Sequence, residues 1–105
     1  LSAAGIAKLL RVMTKRTDYL YFWRSLTIAG RDGTLRKRMR DTAAEANFRG
    51  KTGTLRIAST LSGYVTSAAG RRVVVSILMN GDVADTSYAQ RAQDRIVVAL
   101  AKSRL

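Results

Sequence analysis

The segment Arg72 to Met79, RVVVSILM, limits the fold of this chain more than any other. It is a nearly continuous apolar run, far shorter than the ~18 apolar residues that a membrane span needs, and it reads as a buried strand. Two further strands are expected before it, Phe48 to Thr54 and Leu61 to Thr66. The tetrapeptide SAAG at 67–70 suits a hairpin loop between the second and third, with Gly70 at a positive φ. Only a few residues separate the first two, so an antiparallel meander is the economical topology.

Helical periods flank this region. In LSAAGIAKLLRVMTKR, Ile6, Leu9, Leu10 and Met13 recur at helical spacing, with Ser2 as N-cap and Lys8, Arg11 and Lys15 on the other face. A short helix is expected over Thr17 to Ser25, burying Leu20, Phe22, Trp23 or Leu26 against the first. TIAGRDGTL then reads as a turn-rich loop, with Gly30 and Gly33 flanking Asp32, followed by a basic helical turn from Thr34 to Arg40. Asp82 and Asp85 are expected to cap a last helix, Tyr88 to Ser103, whose inner face carries Ala89, Ala92, Ile96, Ala99 and Leu100. The expectation is an α+β fold, an antiparallel three-stranded sheet with helices packed on it.

Composition narrows the chemistry. With 105 residues the chain makes one small domain, and with no cysteine or histidine it can build neither a disulfide nor a Cys/His zinc site nor a histidine triad. Its seven carboxylates show no metal-ligand spacing, and no cofactor is expected. A net charge of +12 favours an anionic partner, and a small basic nucleic-acid-binding module is one functional reading. The densest basic run, Arg31 with Arg36, Lys37, Arg38 and Arg40, reads as a solvated helix face. The aromatics Tyr19, Tyr21, Phe22 and Trp23 lie too close in sequence to form one stacking platform and read as core. The first residue is Leu1, inside a helical pattern, so the chain is expected to be cut from something longer.

Glycines at 50, 53 and 63 interrupt the first two strands, where each weakens pairing unless something needs the backbone close. The first strand also carries Lys51-Thr52-Gly53 followed by Thr54, and K-T-G is one of three short motifs of the penicillin-recognising serine enzymes. Together with AGRDGTLRKRM, STLSGYVTSAAGRRVVVSILMN and AQDRIVVALA, in this order, it resembles the C-terminal part of the class C penicillin-binding proteins, the D-alanyl-D-alanine carboxypeptidase/endopeptidases. The resemblance implies the C-terminal segment, residues 1–105, of a β-lactamase/transpeptidase-like domain. Lys51 would lend positive potential beside the nucleophile and help hold the terminal carboxylate of the substrate, and Thr52 and Thr54 would offer hydroxyls to that carboxylate or the neighbouring peptide. The Thr54 N–H would form half of an oxyanion hole, and Gly53 would let the substrate backbone lie close. It implies peptidoglycan peptides and β-lactams as partners, an extracytoplasmic location, and no nucleic acid. It also implies that the strand Arg72 to Met79 lies inside a five-stranded sheet, beside a strand from before the nucleophile. Without that partner the free edge would pair with the rest of the enzyme or with itself.

The other two motifs of that family are absent. None of the eight serines has a lysine three residues later, and no S-x-N or Y-x-N occurs, so no serine here has an activating base at the family's spacing. The chain alone is therefore expected to be inactive. A catalytically dead relative is a third reading.

Overall fold

The computed structural model describes residues 2–55, 58–80 and 86–105. Helix α1 spans Ala3–Met13 and starts where Ser2 Oγ accepts the Gly5 N–H at 3.0 Å, satisfying one of the orphan donors of the first turn. Leu10 is its one buried residue. Leu9, expected on the inner face, is 59% exposed, because α1 crosses the sheet along the line of Leu10 and meets mainly the last strand. Helix α2 is shorter than expected, Tyr19–Ser25. Its N-cap Asp18 makes no capping bond, the carboxylate being drawn instead to Arg16 at 2.9 Å. No α2 side chain is fully buried; Phe22 packs edge-on against Tyr64 of the sheet, and Leu20 is 49% exposed.

Four strands, not three, form the sheet. The expected loop after α2 contains β1, Thr27–Ile28, which pairs antiparallel with β2, Arg49–Leu55, through Thr27 opposite Gly50 and Ile28 opposite Arg49. Two residues are too few to show a period, and this strand exists only because β2 offers an edge. Strands β3, Ala58–Thr66, and β4, Arg72–Asn80, complete the order β1-β2-β3-β4, antiparallel throughout. At the β3–β4 hairpin Gly70 has φ +81°, as its sequence context requires. Among the described residues β4 pairs with β3 alone, and no fifth strand lies on its other side. Only Val75 of β4 is fully buried; the other apolar residues of this strand are half-buried.

The basic helical turn expected over Thr34 to Arg40 does not form. A 3-10 turn at Gly33–Leu35 leads into an irregular loop in which Met39, Asp41 and Ala46 hold φ values of 62°, 60° and 59°. The irregular loop still carries Leu35, Met39 and Ala44 into the core. Helix α3, Thr86–Lys102, lies on the same face of the sheet and closes that core with Leu61, Val65, Val75 and Phe48. Its buried line is Gln93, Val97 and Ala101; Ile96, expected inside, is 45% exposed. The rotation follows from Gln93, which is buried with both ends of its amide used: Nε2 donates to Ser59 Oγ at 3.2 Å and Oε1 accepts from Arg38 at 3.2 Å. Asp82 and Asp85 lie outside the described residues.

Candidate active-site edge

The K-T-G segment occupies the outer half of β2. Strand β1 pairs only with Arg49 and Gly50, so from Lys51 onward the outer edge of β2 has no strand partner among the described residues. Backbone groups alternate in direction along a strand. Gly50 C=O points to the β1 side, where it accepts the Thr27 hydroxyl at 2.9 Å, whereas Gly53 C=O points inward and accepts from Thr60 Oγ1 at 3.3 Å. By that alternation the N–H and C=O groups of Thr52 and Thr54 face the open edge. A fixed donor at Thr54 N–H, held by the β2–β3 ladder on its other side, is therefore available to a molecule lying along β2.

Side chains divide between the two faces. Lys51 pairs with Ser62 and Gly53 with Thr60, on the face that carries α1, while Thr52 pairs with Leu61 on the α3 face. The Lys51 side chain is exposed and borders a cleft of about 450 Å³ lined mostly by apolar groups, among them Ile6, Leu10, Phe22 and Leu26. Its ammonium stands 3.5 Å from the Thr52 carbonyl, at the outer limit of a hydrogen bond. Neither of the two ion pairs among the described residues, Arg16 with Asp18 and Arg38 with Asp94, involves it. An exposed cation beside an apolar cleft, with no carboxylate to neutralise it, is a site for an anionic group. Ser62 lies directly opposite Lys51, yet no hydrogen bond joins them, so no serine–lysine dyad is assembled here.

Thr52 is tied to a residue that sequence reasoning left in a loop. Its hydroxyl lies 2.8 Å from that of Thr34, across from the D-G turn. The turn signal at Asp32-Gly33 was visible; its destination was not. Gly53 also serves the sheet. A Cβ there would stand 2.5 Å from Thr60 Oγ1, so the missing side chain makes room within the sheet itself. Among the described residues no group of three His, Cys, Asp or Glu could hold a metal ion.

The arginines take several roles. Arg38 is no solvated helix residue: it forms a two-pronged pair with Asp94, at 2.7 and 3.0 Å, and also reaches Gln93 and the Gln90 carbonyl. Arg31, Arg36, Lys37 and Arg40 are exposed, as expected. Trp23 is covered by Arg49 at 3.7 Å, with Arg72 at 4.9 Å, so this aromatic is occupied by the chain's own guanidinium groups. Tyr64 is buried and its phenol donates to the Leu10 carbonyl at 2.6 Å; burial, reinforced by Tyr19 and opposed by Arg72, pushes it up to about 12.

The family model for the D-Ala-D-Ala carboxypeptidase 3 (S13) family matches residues 1–103. The chain belongs to that family. A relative, the D-alanyl-D-alanine carboxypeptidase of Actinomadura sp. (strain R39), is 43% identical over 83 residues, which cover 74% of this chain and 15% of that protein. Penicillin binding protein 4 from Haemophilus influenzae superposes with a TM-score of 0.80 at 25% identity, covering 92% of this chain and 23% of that one. The same protein complexed with a novel β-lactam gives a TM-score of 0.78 at 26% identity, over 91% of this chain and 24% of that one. The chain thus spans less than a quarter of the length of these relatives, and it shares their α+β fold. The nucleic-acid-binding alternative finds no support in these matches. No described helix is long and apolar enough to cross a membrane.

Proposed function

We propose that this S13-family chain is the C-terminal segment of a serine-type D-Ala-D-Ala carboxypeptidase/endopeptidase acting on peptidoglycan stem peptides in the cell envelope, and that the outer edge of β2 is one wall of its cleft. The observation that carries this reading is the open edge itself, on which K-T-G-T presents a cation, two hydroxyls and outward backbone donors to a molecule lying alongside. The substrate backbone adds along β2. Lys51, from the α1 face, reaches around the edge of β2 to its terminal carboxylate, and the hydroxyls of Thr52 and Thr54, from the α3 face, bind that carboxylate or the neighbouring peptide. A serine from the remaining polypeptide attacks the penultimate D-Ala carbonyl, giving up its proton to a neighbouring base; the carbonyl oxygen takes the electron pair. The Thr54 N–H stabilises that oxyanion, and as the intermediate collapses the base passes its proton to the departing nitrogen, which expels D-alanine and leaves the acyl-enzyme. A β-lactam enters by the same route, its ring amide in place of the scissile bond.

Labelling by a fluorescent penicillin tests this. The isolated chain, which lacks a serine with a base, is expected to stay unlabelled, whereas the full enzyme labels. Lys51→Ala in the full enzyme is expected to slow acylation by the equivalent of ~2–4 kcal/mol, the range for loss of one fixed electrostatic contact, with the fold nearly untouched. Stoichiometric labelling of the isolated chain would overturn the segment reading, and an unchanged rate in the variant would remove Lys51 from the cleft.

A further inference from the structure

The loop Gly30 to Leu35 is built with more care than a connection requires. Asp32 Oδ1 accepts the Ile28 N–H at 2.7 Å, and Gly30 N–H returns to the Leu35 carbonyl at 2.9 Å. Gly33 holds φ +56° with the space of a Cβ only 2.4 Å from Thr27 Cγ2, so no other residue fits there without displacing β1. Leu35 is fully buried and anchors the far end. Between Gly33 and Leu35 stands Thr34, which is exposed and adds nothing to the core. What the loop delivers is its hydroxyl, 2.8 Å from Thr52 Oγ1 at the open edge of β2.

A threonine hydroxyl has one hydrogen to donate and lone pairs to accept. Two arrangements of the pair are possible, and they differ in what Thr52 has left. If Thr52 donates to Thr34, its hydrogen is spent and its remaining lone pair repels an anion. If Thr34 donates to Thr52, the Thr52 hydrogen is free, and its bond to a carboxylate is strengthened by the bond it receives.

We propose that Thr34 is a positioning residue for carboxylate recognition: it donates to Thr52 Oγ1 and so aims the Thr52 O–H at the terminal carboxylate of the substrate. This rests on the reading of the β2 edge as the cleft wall. Thr34 touches no reacting atom; it acts through Thr52, and its effect is confined to ligands that carry the carboxylate.

The test uses the full enzyme and two acylating ligands, a penicillin and its carboxyl methyl ester, with acylation followed by mass spectrometry. Thr34→Val removes the donor at nearly constant shape, and Thr34→Ser keeps it. Thr34→Val is expected to lower the second-order acylation rate with the penicillin on the order of tenfold, through weaker binding, with a much smaller loss for the ester. Thr34→Ser is expected to recover most of the loss. Equal losses for both ligands would assign Thr34 a merely structural role and overturn the proposal. A normal Thr34→Val rate beside a lowered Thr52→Val rate would overturn it while leaving the cleft reading intact. A normal rate in Thr52→Val would overturn both.

Discussion

At the scale of single residues, the glycines of β2 and β3 answer to the sheet before they answer to any ligand. Gly50 and Gly63 face each other in register. A Cβ on Gly63 would lie 2.1 Å from the Arg49 carbonyl oxygen and 2.5 Å from Gly50 Cα, and one on Gly50 would lie 2.5 Å from the ring of Phe48. Those neighbours are backbone and a fully buried aromatic, so neither can retreat. Gly63→Ala is therefore expected to cost about 3 kcal/mol or more, at the upper end of overpacking penalties, as read from a urea midpoint. Gly70→Ala, with open space around it but φ +81°, is expected to cost only ~1–2 kcal/mol. The reverse order would show that the close approach of β2 and β3 is softer than described. The sequence announced that these positions needed bare backbone. It could not say whether the need came from a neighbouring strand or from a ligand, because register is a long-range property.

Elements were legible where a period ran long enough. Helices α1 and α3 and the three long strands follow from spacing, and the Ser2 cap forms as read. What failed was what depends on contacts between elements: the two residues of β1, the loop that replaced a helical turn, and the rotation of α3 set by Gln93. The join between α1 and β3 is of this kind too. Tyr64 Oη donates to the Leu10 carbonyl in the last turn of α1, a buried bond that ties the helix to the sheet. Tyr64→Phe is expected to cost ~1–2 kcal/mol by removing this buried hydrogen bond. It also changes the alkaline limb. The folded chain keeps the Tyr64 proton up to about 12, while an unfolded phenol loses it near ~10. This contribution is therefore complete below ~pH 10 and falls away as pH rises to about 12. Denaturation monitored across that window should show a decline in the native chain that Tyr64→Phe flattens; parallel curves would mean that the phenol is better solvated than its burial indicates. Of the candidate site, the K-T-G segment was legible as a motif, whereas Thr34 was not, since only folding brings positions 34 and 52 together.

For the whole molecule, a Cα radius of gyration of 13.2 Å matches the ~13 Å of a compact domain of about 100 residues. Its charge is distributed differently: +12 overall, with two ion pairs among the described residues, leaving most of the guanidinium groups to solvent and to aromatic faces. The sheet is less finished than the core. Strand β4 has β3 on one side and no strand on the other among the described residues, and of its nine residues Val73, Val74, Ile77 and Leu78 are half-buried hydrophobics. Such an edge invites another strand. Hydrogen exchange at Val73 to Leu78 should be faster in the isolated monomer than in the full enzyme, and equal strong protection in a strictly monomeric chain would show that β4 needs no partner. On the proposed function, the same edge gives the chain a practical character: it would serve as one half in split-enzyme complementation. Its core would hold the proposed K-T-G wall in shape, and the free edge of β4 would be the handle by which a separately made remainder docks. Mixing the two would turn an unlabelled chain and a disarmed serine into a penicillin-binding site, with the light from the bound drug counting the reassembled molecules.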